Sequence, residues 1–296
     1  QTVEIFPQIF LQEEVLARDL DQFHDARLER GKRRGDIEIA AQGDMRFGPV
    51  KDIDRQARVA WHRVRGGYRV ESLAIGNRLR GLLAEFGVIV AQSDGALRRL
   101  LAGLDAQKGL PDELKELLRD LAEHWKQLRL HLDACDARIE AHARADERCV
   151  RLRMIVGIGA LTADAAVATV GNAREFKQGR QMAAWLGLVP TQHSRGGHSQ
   201  LGGISCRGEA YLRTLLIQGA RSSLQPAKTV STEKATPEQL WIRTLDGRMP
   251  FGKVIVALAN KHARQIWVML ARDVDYDPHA RLNHPMHRQA KGVQAA

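Results

Sequence analysis

The chain has 296 residues, 44% of them hydrophobic and only 5% aromatic, so it is long enough to bury sizeable cores and is not expected to be an all-β sandwich. Its 45 Lys and Arg against 35 Asp and Glu give a net charge of +10. This excess favours a polyanionic partner, although charge alone predicts only non-specific attraction.

Cysteine usage and hydropathy limit the class of protein further. Cys135, Cys149 and Cys206 are far apart and form no CxxC pair, which disfavours a disulfide scaffold or a zinc site and fits a reducing cytosol. The acidic N-terminus, interrupted by Pro7, does not read as a signal peptide. The longest apolar run, VIVALA at 254–259, is too short to cross a bilayer. We therefore expect a soluble, cytoplasmic protein.

Residues 1–44 are charged and turn-rich, and we expect them to be poorly ordered. A helical pattern begins near Ile53, and Gly66-Gly67 could bend this helix. Its apolar stripe comprises Trp61, Val64, Tyr68, Ile75, Leu79, Leu82 and Phe86. Seven arginines accompany the stripe, namely Arg55, Arg58, Arg63, Arg65, Arg69, Arg78 and Arg80. They read either as a solvated polar face or as a surface that follows nucleic-acid phosphates, and the shortage of neighbouring acids favours the second interpretation.

A heptad pattern follows Pro111. Its seam positions are Leu114, Leu118, Leu121, Trp125, Leu128, Leu132, Cys135, Ile139 and His142, and their alternating steps of four and three predict a coiled coil. The seam could close against the preceding helix or between subunits. An antiparallel two-helix arm that also mediates homo-oligomerisation is the arrangement we expect.

The stretch MIVGIGALTADAAVATVG at 154–171 resembles a helix-hairpin-helix. In such a motif, Gly157, Ile158 and Gly159 would form a turn whose backbone amides, with the next helix N-terminus, bind a phosphate. The alternative is a plain turn between two helices that needs glycine only for close packing.

The glycine-rich stretch WLGLVPTQHSRGGHSQLGGISCRGEAYLR at 185–213 reads as a polar loop in a basic region. Ser194, Ser199 and Ser205 lie among cations that include Arg195, Arg207 and Arg213. Arginines near a serine could stabilise the charge that develops on an attacked phosphodiester, and His193 or His198 could move a proton. The competing interpretation is an ordinary surface loop.

Two further helices are predicted, one in AYLRTLLIQGARSSL and one in GKVIVALANKHARQIWVML. Lys253 and Lys261 lie near one edge of the second of these helices and are candidate DNA contacts together with Arg195, Arg207 and Arg213. No cluster of carboxylates resembles a set of Mg²⁺ ligands.

These segments together resemble the serine-containing (DEDD-type) transposases of the IS110 family, IS1111 group, also described as bridge-RNA-guided recombinases. The similarity runs from about Met45 to Pro278 and covers MIVGIGALTADAAVATVG, GLVPTQHSRGG, GGISCRG and GKVIVALANKHARQIWVMLARDVDYDP. The fold it implies is mainly α, with a coiled-coil arm followed by an α-helical transposase domain. The domain boundaries expected are 1–44, 45–148 for the helical linker, 149–278 for the serine transposase domain, and 279–296 for a disordered tail.

The resemblance also implies a reaction and a divided active site. Ser194 is the counterpart of the family serine that attacks DNA and forms a covalent phosphoserine link, and Ser199 is a distant second choice. Four carboxylates of an N-terminal RuvC-like domain would bind Mg²⁺, but in this chain only Asp36 faintly matches them. The resemblance therefore predicts a truncated transposase that is inactive alone and is bound to DNA at the bacterial nucleoid, with a structured guide RNA as a further partner. The competing hypothesis is a non-catalytic, oligomerising remnant that binds DNA or RNA.

Overall fold

A computed structural model of the protein describes residues 52–107, 109–195 and 198–279. The expectations for residues 1–44, for Asp36 and for the tail beyond His279 fall outside these ranges. The fold is mainly α-helical, as predicted. None of the helices in the described ranges is long and apolar enough to cross a membrane.

The N-terminal part of the described chain is a helical hairpin. Helix α1 spans Ile53–Glu85 and begins where the Asp52 carboxylate accepts a 2.7 Å hydrogen bond from the Arg55 amide. A short helix, α2 (Asp94–Ala102), leads to helix α3 (Asp112–Ala145). Helix α1 is continuous through Gly66-Gly67. Both long helices begin near the positions expected from the sequence, α1 at Ile53 and α3 directly after Pro111.

Helices α1 and α3 pack antiparallel, and we call this pair the arm. Two side-chain contacts show that the helices are antiparallel. Arg138 of α3 lies over Trp61 of α1, and seven residues earlier in α3, His131 stacks on Tyr68, seven residues later in α1, with ring centroids 5.3 Å apart. The predicted seam of α3 is largely the buried face, with Leu114, Leu118, Trp125, Leu128, Cys135 and Ile139 buried. The seam closes within the chain, and oligomerisation through it stays a prediction.

The apolar stripe predicted for α1 is only partly the buried one. Ile75 and Leu79 are buried as expected, but Val64 and Phe86 are each 45% exposed. Leu83 is fully buried and replaces Leu82 on the packed face. Nearer the start of α1, the buried residue is His62 and not an apolar one. This part of the helix packs against polar groups of the C-terminal half, among them Asp164.

The C-terminal half is an assembly of helices around its own apolar core. Its helices are α4 (Glu147–Leu152), α5 (Ala160–Val170), α6 (Gly179–Trp185), α7 (Ala210–Thr229), α8 (Pro237–Asp246) and α9 (Phe251–Arg272). Helix α5 is the central one, since eight of its 11 residues are buried. Helix α8 begins with a capping box between Thr236 and Gln239. The half has an apolar cluster separate from that of the arm.

The glycine-rich stretch is not the loop predicted from its sequence. Strands β1 (Pro190–Arg195) and β2 (His198–Ile204) pair antiparallel in a two-stranded sheet. Ser194 lies opposite Ser199, and Arg195 lies opposite His198. The Gly196-Gly197 pair between two polar runs is a hairpin signal in the sequence, and the loop interpretation overlooked it.

Candidate functional site

The β1–β2 hairpin is held at its base by the helices on either side. Helix α6 ends just before Gly187, and helix α7 begins just after Gly208, and these glycines have φ values of +69° and +79°. A Cβ at Gly208 would lie 1.8 Å from the Trp185 carbonyl oxygen, and one at Gly187 would lie 2.3 Å from that of Arg207. The two chain ends of the hairpin therefore approach each other more closely than any side chain allows.

Arg213 closes the same base from helix α7. Its Nη1 donates hydrogen bonds to the carbonyl oxygens of Leu186 (2.9 Å) and Arg207 (3.1 Å). On the neighbouring side, the Asn260 amide donates to the Leu188 carbonyl oxygen at 3.2 Å. Arg213 thus has a structural role at the hairpin base, and its contact with DNA stays a prediction.

Exposed cations occur along the chain before, within and after the hairpin segment. Arg174, Lys177 and Arg180 precede the hairpin, Arg207 lies at its end, and Arg221 follows it on helix α7; all are exposed. Lys253 is also exposed, at the start of α9. Lys261 differs, because its ammonium group lies 2.9 Å from the Glu238 carboxylate. The C-terminal half therefore carries exposed cations able to attract phosphates.

The predicted helix-hairpin-helix turn contains two glycines with different surroundings. Gly157 has φ +94°, and a Cβ there would lie 2.1 Å from Ser223 Oγ and 2.4 Å from the Gly219 carbonyl oxygen. It is a packing glycine against α7, and Ile158 is buried beside it. Gly159 has open space around it and precedes α5. The packing alternative thus accounts for Gly157, and phosphate binding stays a prediction for the amides that follow Gly159.

A buried polar network joins the arm to the hairpin-bearing half, and we call it the junction. His62 of α1 contacts Asp164 Oδ2 through Nε2 at 2.8 Å and the Tyr211 hydroxyl through Nδ1 at 3.1 Å. Arg58 donates to both carboxylates of the junction, to Asp164 Oδ1 from Nε at 3.0 Å and to Asp146 Oδ2 from Nη1 at 2.8 Å. Tyr211 is the second residue of helix α7, the helix that follows the hairpin, so the junction connects the arm to that helix.

Charges in the junction compensate each other. Burial alone would raise the pKa of Asp164, but the hydrogen bonds from His62 and Arg58 lower it below its usual value. The pKa of Asp146 is lowered in the same way by Arg148 and Arg58 against the effect of burial. Burial raises the pKa of the Tyr211 hydroxyl, against the nearby Arg65. Both carboxylates are thus ionised and Tyr211 is a neutral phenol at neutral pH.

The junction was not identified from the sequence. The arginines of α1 read as a phosphate-binding surface, whereas Arg58 and Arg65 form ion pairs with Asp164 and Asp136, and Arg80 donates to the carbonyl oxygens of Ala91 and Gln92. Arg63, Arg69 and Arg78 are exposed and keep the phosphate-binding prediction. One signal was present: Asp164 interrupts the apolar helix ALTADAAVATV, and a buried carboxylate needs a partner.

The described residues offer no set of ligands for Mg²⁺. Within residues 52–107, 109–195 and 198–279, no three His, Cys, Asp or Glu side chains are grouped closely enough to hold a metal ion. Asp164 and Asp146 are already occupied by arginines. These residues therefore do not fit the metal that the resemblance implies.

A helical body that carries a fixed hairpin within a basic region is an arrangement suited to acting on nucleic acid. Comparison with known proteins gives its family. Residues 149–234 match the transposase IS116/IS110/IS902 family. Over 244 residues, the chain is 43% identical to a probable family 20 transposase of Pseudomonas aeruginosa, and the match covers 81% of this chain and 71% of that protein.

Two transposases of named insertion sequences are also similar. The transposase for insertion sequence element IS1111A of Coxiella burnetii is 35% identical over 250 residues, which cover 84% of this chain and 68% of the relative. The one for IS1328 of Yersinia enterocolitica is 34% identical over 232 residues, covering 78% and 68%. The chain belongs to the IS116/IS110/IS902 family of transposases, as its resemblance predicted.

Proposed function

We propose that this transposase cleaves and joins DNA through Ser194, which forms a covalent phosphoserine intermediate. The observation that carries the proposal is the placement of Ser194 in strand β1, next to the Gly196-Gly197 pair, on a hairpin anchored by Arg213. A nucleophile needs such a fixed position, because a small displacement from the reacting phosphorus costs much of the rate.

In the reaction proposed, the Ser194 oxygen attacks a backbone phosphorus. A phosphorus–oxygen bond to the serine forms, and the bond to one deoxyribose oxygen breaks. The serine proton passes to a base or to water, and the departing oxygen takes up a proton. Exposed cations such as Arg207 stabilise the charge on the non-bridging oxygens. Reversal of the step on a second DNA end transfers the strand.

Ser199 pairs directly with Ser194 across the two strands. It is therefore the matched control for the nucleophile, because it is the same residue type at the paired position of the neighbouring strand.

The test is covalent capture on a suicide DNA substrate that carries an element end with a nick, so that the cleaved strand diffuses away. With a carboxylate-bearing RuvC-like domain of a relative supplied in trans, the wild-type chain is expected to give an adduct that survives denaturant, with the DNA mapped to Ser194 by mass spectrometry. Ser194→Ala should abolish the adduct, whereas Ser199→Ala should retain most of it. Circular dichroism checks that both variants are folded.

Two results would overturn the proposal. An adduct that persists in Ser194→Ala would assign the nucleophile elsewhere. No adduct from the wild-type chain, with a carboxylate-bearing RuvC-like domain of a relative supplied in trans, would favour the non-catalytic binding protein. DNA is the partner in the proposed reaction, whereas the competing protein binds DNA or RNA; Mg²⁺, a guide RNA and self-association belong to the proposal only as properties that the resemblance implies.

A further inference from the structure

An exposed leucine lies on the β1–β2 hairpin, and the chemistry proposed for Ser194 makes no use of it. Leu201 of strand β2 is 63% exposed. It belongs to neither of the two apolar clusters of the described residues. Single exposed leucines are common on protein surfaces, so the exposure of Leu201 gains its meaning from the position of this residue in the hairpin.

The hairpin is open to solvent on both faces at this leucine. Consecutive residues of a strand point to opposite faces of a sheet. Gln200 and Leu201 are both exposed, and so is Gln192, which pairs with Leu201 across the two strands. Within the described ranges, neither face of the sheet is covered at this position. Most of the apolar surface of Leu201 is therefore accessible to a partner.

The strand next to Leu201 has a bare backbone. Gly202 and Gly203 follow the leucine, and both are exposed. The Thr191 hydroxyl donates a 3.2 Å hydrogen bond to the Gly203 carbonyl oxygen, and a Cβ at Gly202 would lie only 2.5 Å from Thr191 Oγ1. The two strands are thus held close together, and a large molecule can approach their backbone closely. The leucine side chain stands out beside this flat surface.

The charge of this segment indicates the kind of partner. Residues 176–208 contain no Asp or Glu, and they contain four basic residues, namely Lys177, Arg180, Arg195 and Arg207. A segment of this composition attracts phosphates and carries no carboxylate that would repel them. Its apolar side chain needs a partner with apolar surface as well. DNA offers both, with phosphates along its edges and flat base faces between its base pairs.

Leu201 also lies near the proposed nucleophile along the hairpin. The Gln192–Leu201 pair and the Ser194–Ser199 pair are two positions apart in the ladder of paired residues. At about 3.4 Å per residue, this separation is about 7 Å. Successive phosphates of one DNA strand are about 3.4 Å apart along the helix axis. On DNA that follows the strands of the hairpin, Leu201 is therefore about two base steps from the phosphate at Ser194.

We propose that Leu201 is a wedge that inserts between neighbouring base pairs, about two steps from the phosphate that Ser194 attacks, and kinks the DNA there. Leucine is one of the apolar side chains that unstack a base step in this way. The kink bends the strand toward the hairpin and brings the phosphorus to the serine oxygen. Leu201 is thus a positioning residue, because it acts on the bases and not on the reacting bond. The inference rests on the proposed action of Ser194 on DNA.

The test moves a single 2-aminopurine, position by position, through an uncleaved duplex that carries the element end. The fluorescence of this base rises when it is unstacked, so binding of the wild-type chain should raise it within about two steps of the phosphate to which the Ser194 adduct maps. Leu201→Ala should remove the rise and slow adduct formation by about tenfold or more. Leu201→Met should retain most of both. Leu130→Ala, at an exposed leucine of α3, is the matched control and should behave as the wild type does.

A second substrate distinguishes a wedge from a residue that only supports the hairpin. A mismatch at the same base step weakens the stacking that the wedge has to break. It should therefore restore most of the adduct formation that Leu201→Ala loses. If the mismatch does not restore the rate, the wedge is refuted, and Leu201 is assigned to the stability of the hairpin. Circular dichroism checks that each variant is folded.

The outcomes separate this inference from the function on which it rests. If the Ser194 adduct forms and Leu201→Ala keeps the full fluorescence rise, the wedge is refuted alone. A Leu201→Ala chain that changes its self-association in sedimentation and keeps the rise would also refute it, because the leucine would then contact a second copy. If no adduct forms, the function of Ser194 fails, whereas a rise that depends on Leu201 would still support the wedge. Bound DNA without any rise in the wild type would refute the wedge.

Discussion

His262 is a buried titratable residue whose neutral form the fold requires. It is 1% exposed in helix α9, its Nδ1 has no hydrogen-bond partner, and burial lowers its pKa to about 4. The charged groups nearby are Glu238, which favours protonation, and Lys261, which opposes it. Burial prevails because the imidazole would lose its hydration without gaining a direct partner for the charge.

This burial predicts that stability falls as the pH drops from 6.5 to 4. Across that window the unfolded chain binds a proton at His262 that the folded chain does not, so the free energy of unfolding rises with pH. The stabilisation that comes from keeping His262 neutral is fully present above the pKa that this histidine has in the unfolded chain. It is lost as the pH falls through the lower pKa of His262 in the folded chain. This stabilisation amounts to about 3 kcal/mol. Urea denaturation of wild type and His262→Gln at several pH values measures it. An equal slope in both proteins between pH 6.5 and 4 would contradict the prediction.

The β1–β2 hairpin depends on contacts made outside its strands. A two-stranded sheet is marginal in water by itself, and this one is held by close backbone contacts at Gly187 and Gly208 and by Arg213. Hydrogen bonds from a charged donor to two carbonyl groups are among the stronger ones in proteins. The hairpin therefore depends on contacts with helix α7 to stay folded.

Arg213→Met is expected to loosen the hairpin and to leave the helical core folded. Hydrogen–deuterium exchange should become faster in peptides covering β1 and β2, by about tenfold or more for one to two lost hydrogen bonds. The rate of adduct formation at Ser194 should fall, because the position of the serine is less fixed. Arg221→Met, which removes an exposed arginine of the same helix, is the control for the exchange measurement. Unchanged exchange in the hairpin of Arg213→Met would show that the glycine contacts suffice.

The sequence predicts elements with a regular pattern better than those that depend on distant partners. The starts of α1 and α3, the seam of α3 and the closing helix α9 follow from helix-starting residues and apolar periodicity. The hairpin was missed because its strands carry polar residues and glycines without alternation. The sequence does not predict the junction, because Arg58 and Asp164 are 106 positions apart in the chain. A pattern of neighbouring residues carries no information about such a distant pair.

At the scale of the molecule, two apolar cores are joined by a polar connection. One core lies inside the arm, the other lies among the helices after residue 142, and the junction lies where the arm meets α5 and α7. The fully buried Asp164 carboxylate contacts both the Arg58 guanidinium and the His62 imidazole. Removing a buried charge that has two partners is costly, because the remaining charges lose their compensation.

Asp164→Asn is therefore expected to destabilise the chain by about 3–5 kcal/mol and to separate the unfolding of the arm from that of the C-terminal half. Exchange should accelerate first in residues 55–65 of α1, before the amides of α9. Glu123→Gln, which breaks an exposed pair with Lys126 on α3, should leave the unfolding midpoint unchanged. A single cooperative transition of unaltered midpoint in Asp164→Asn would show that the junction adds nothing to the attachment of the arm.

The uninterrupted course of α1 sets how far the arm reaches from the rest of the chain. From Arg58 in the junction to the end of the helix at Glu85, 27 residues at about 1.5 Å each give about 40 Å. Because Gly66-Gly67 introduces no break, the far end of the arm is held at a constant distance from the junction, and the length of one helix acts as a ruler.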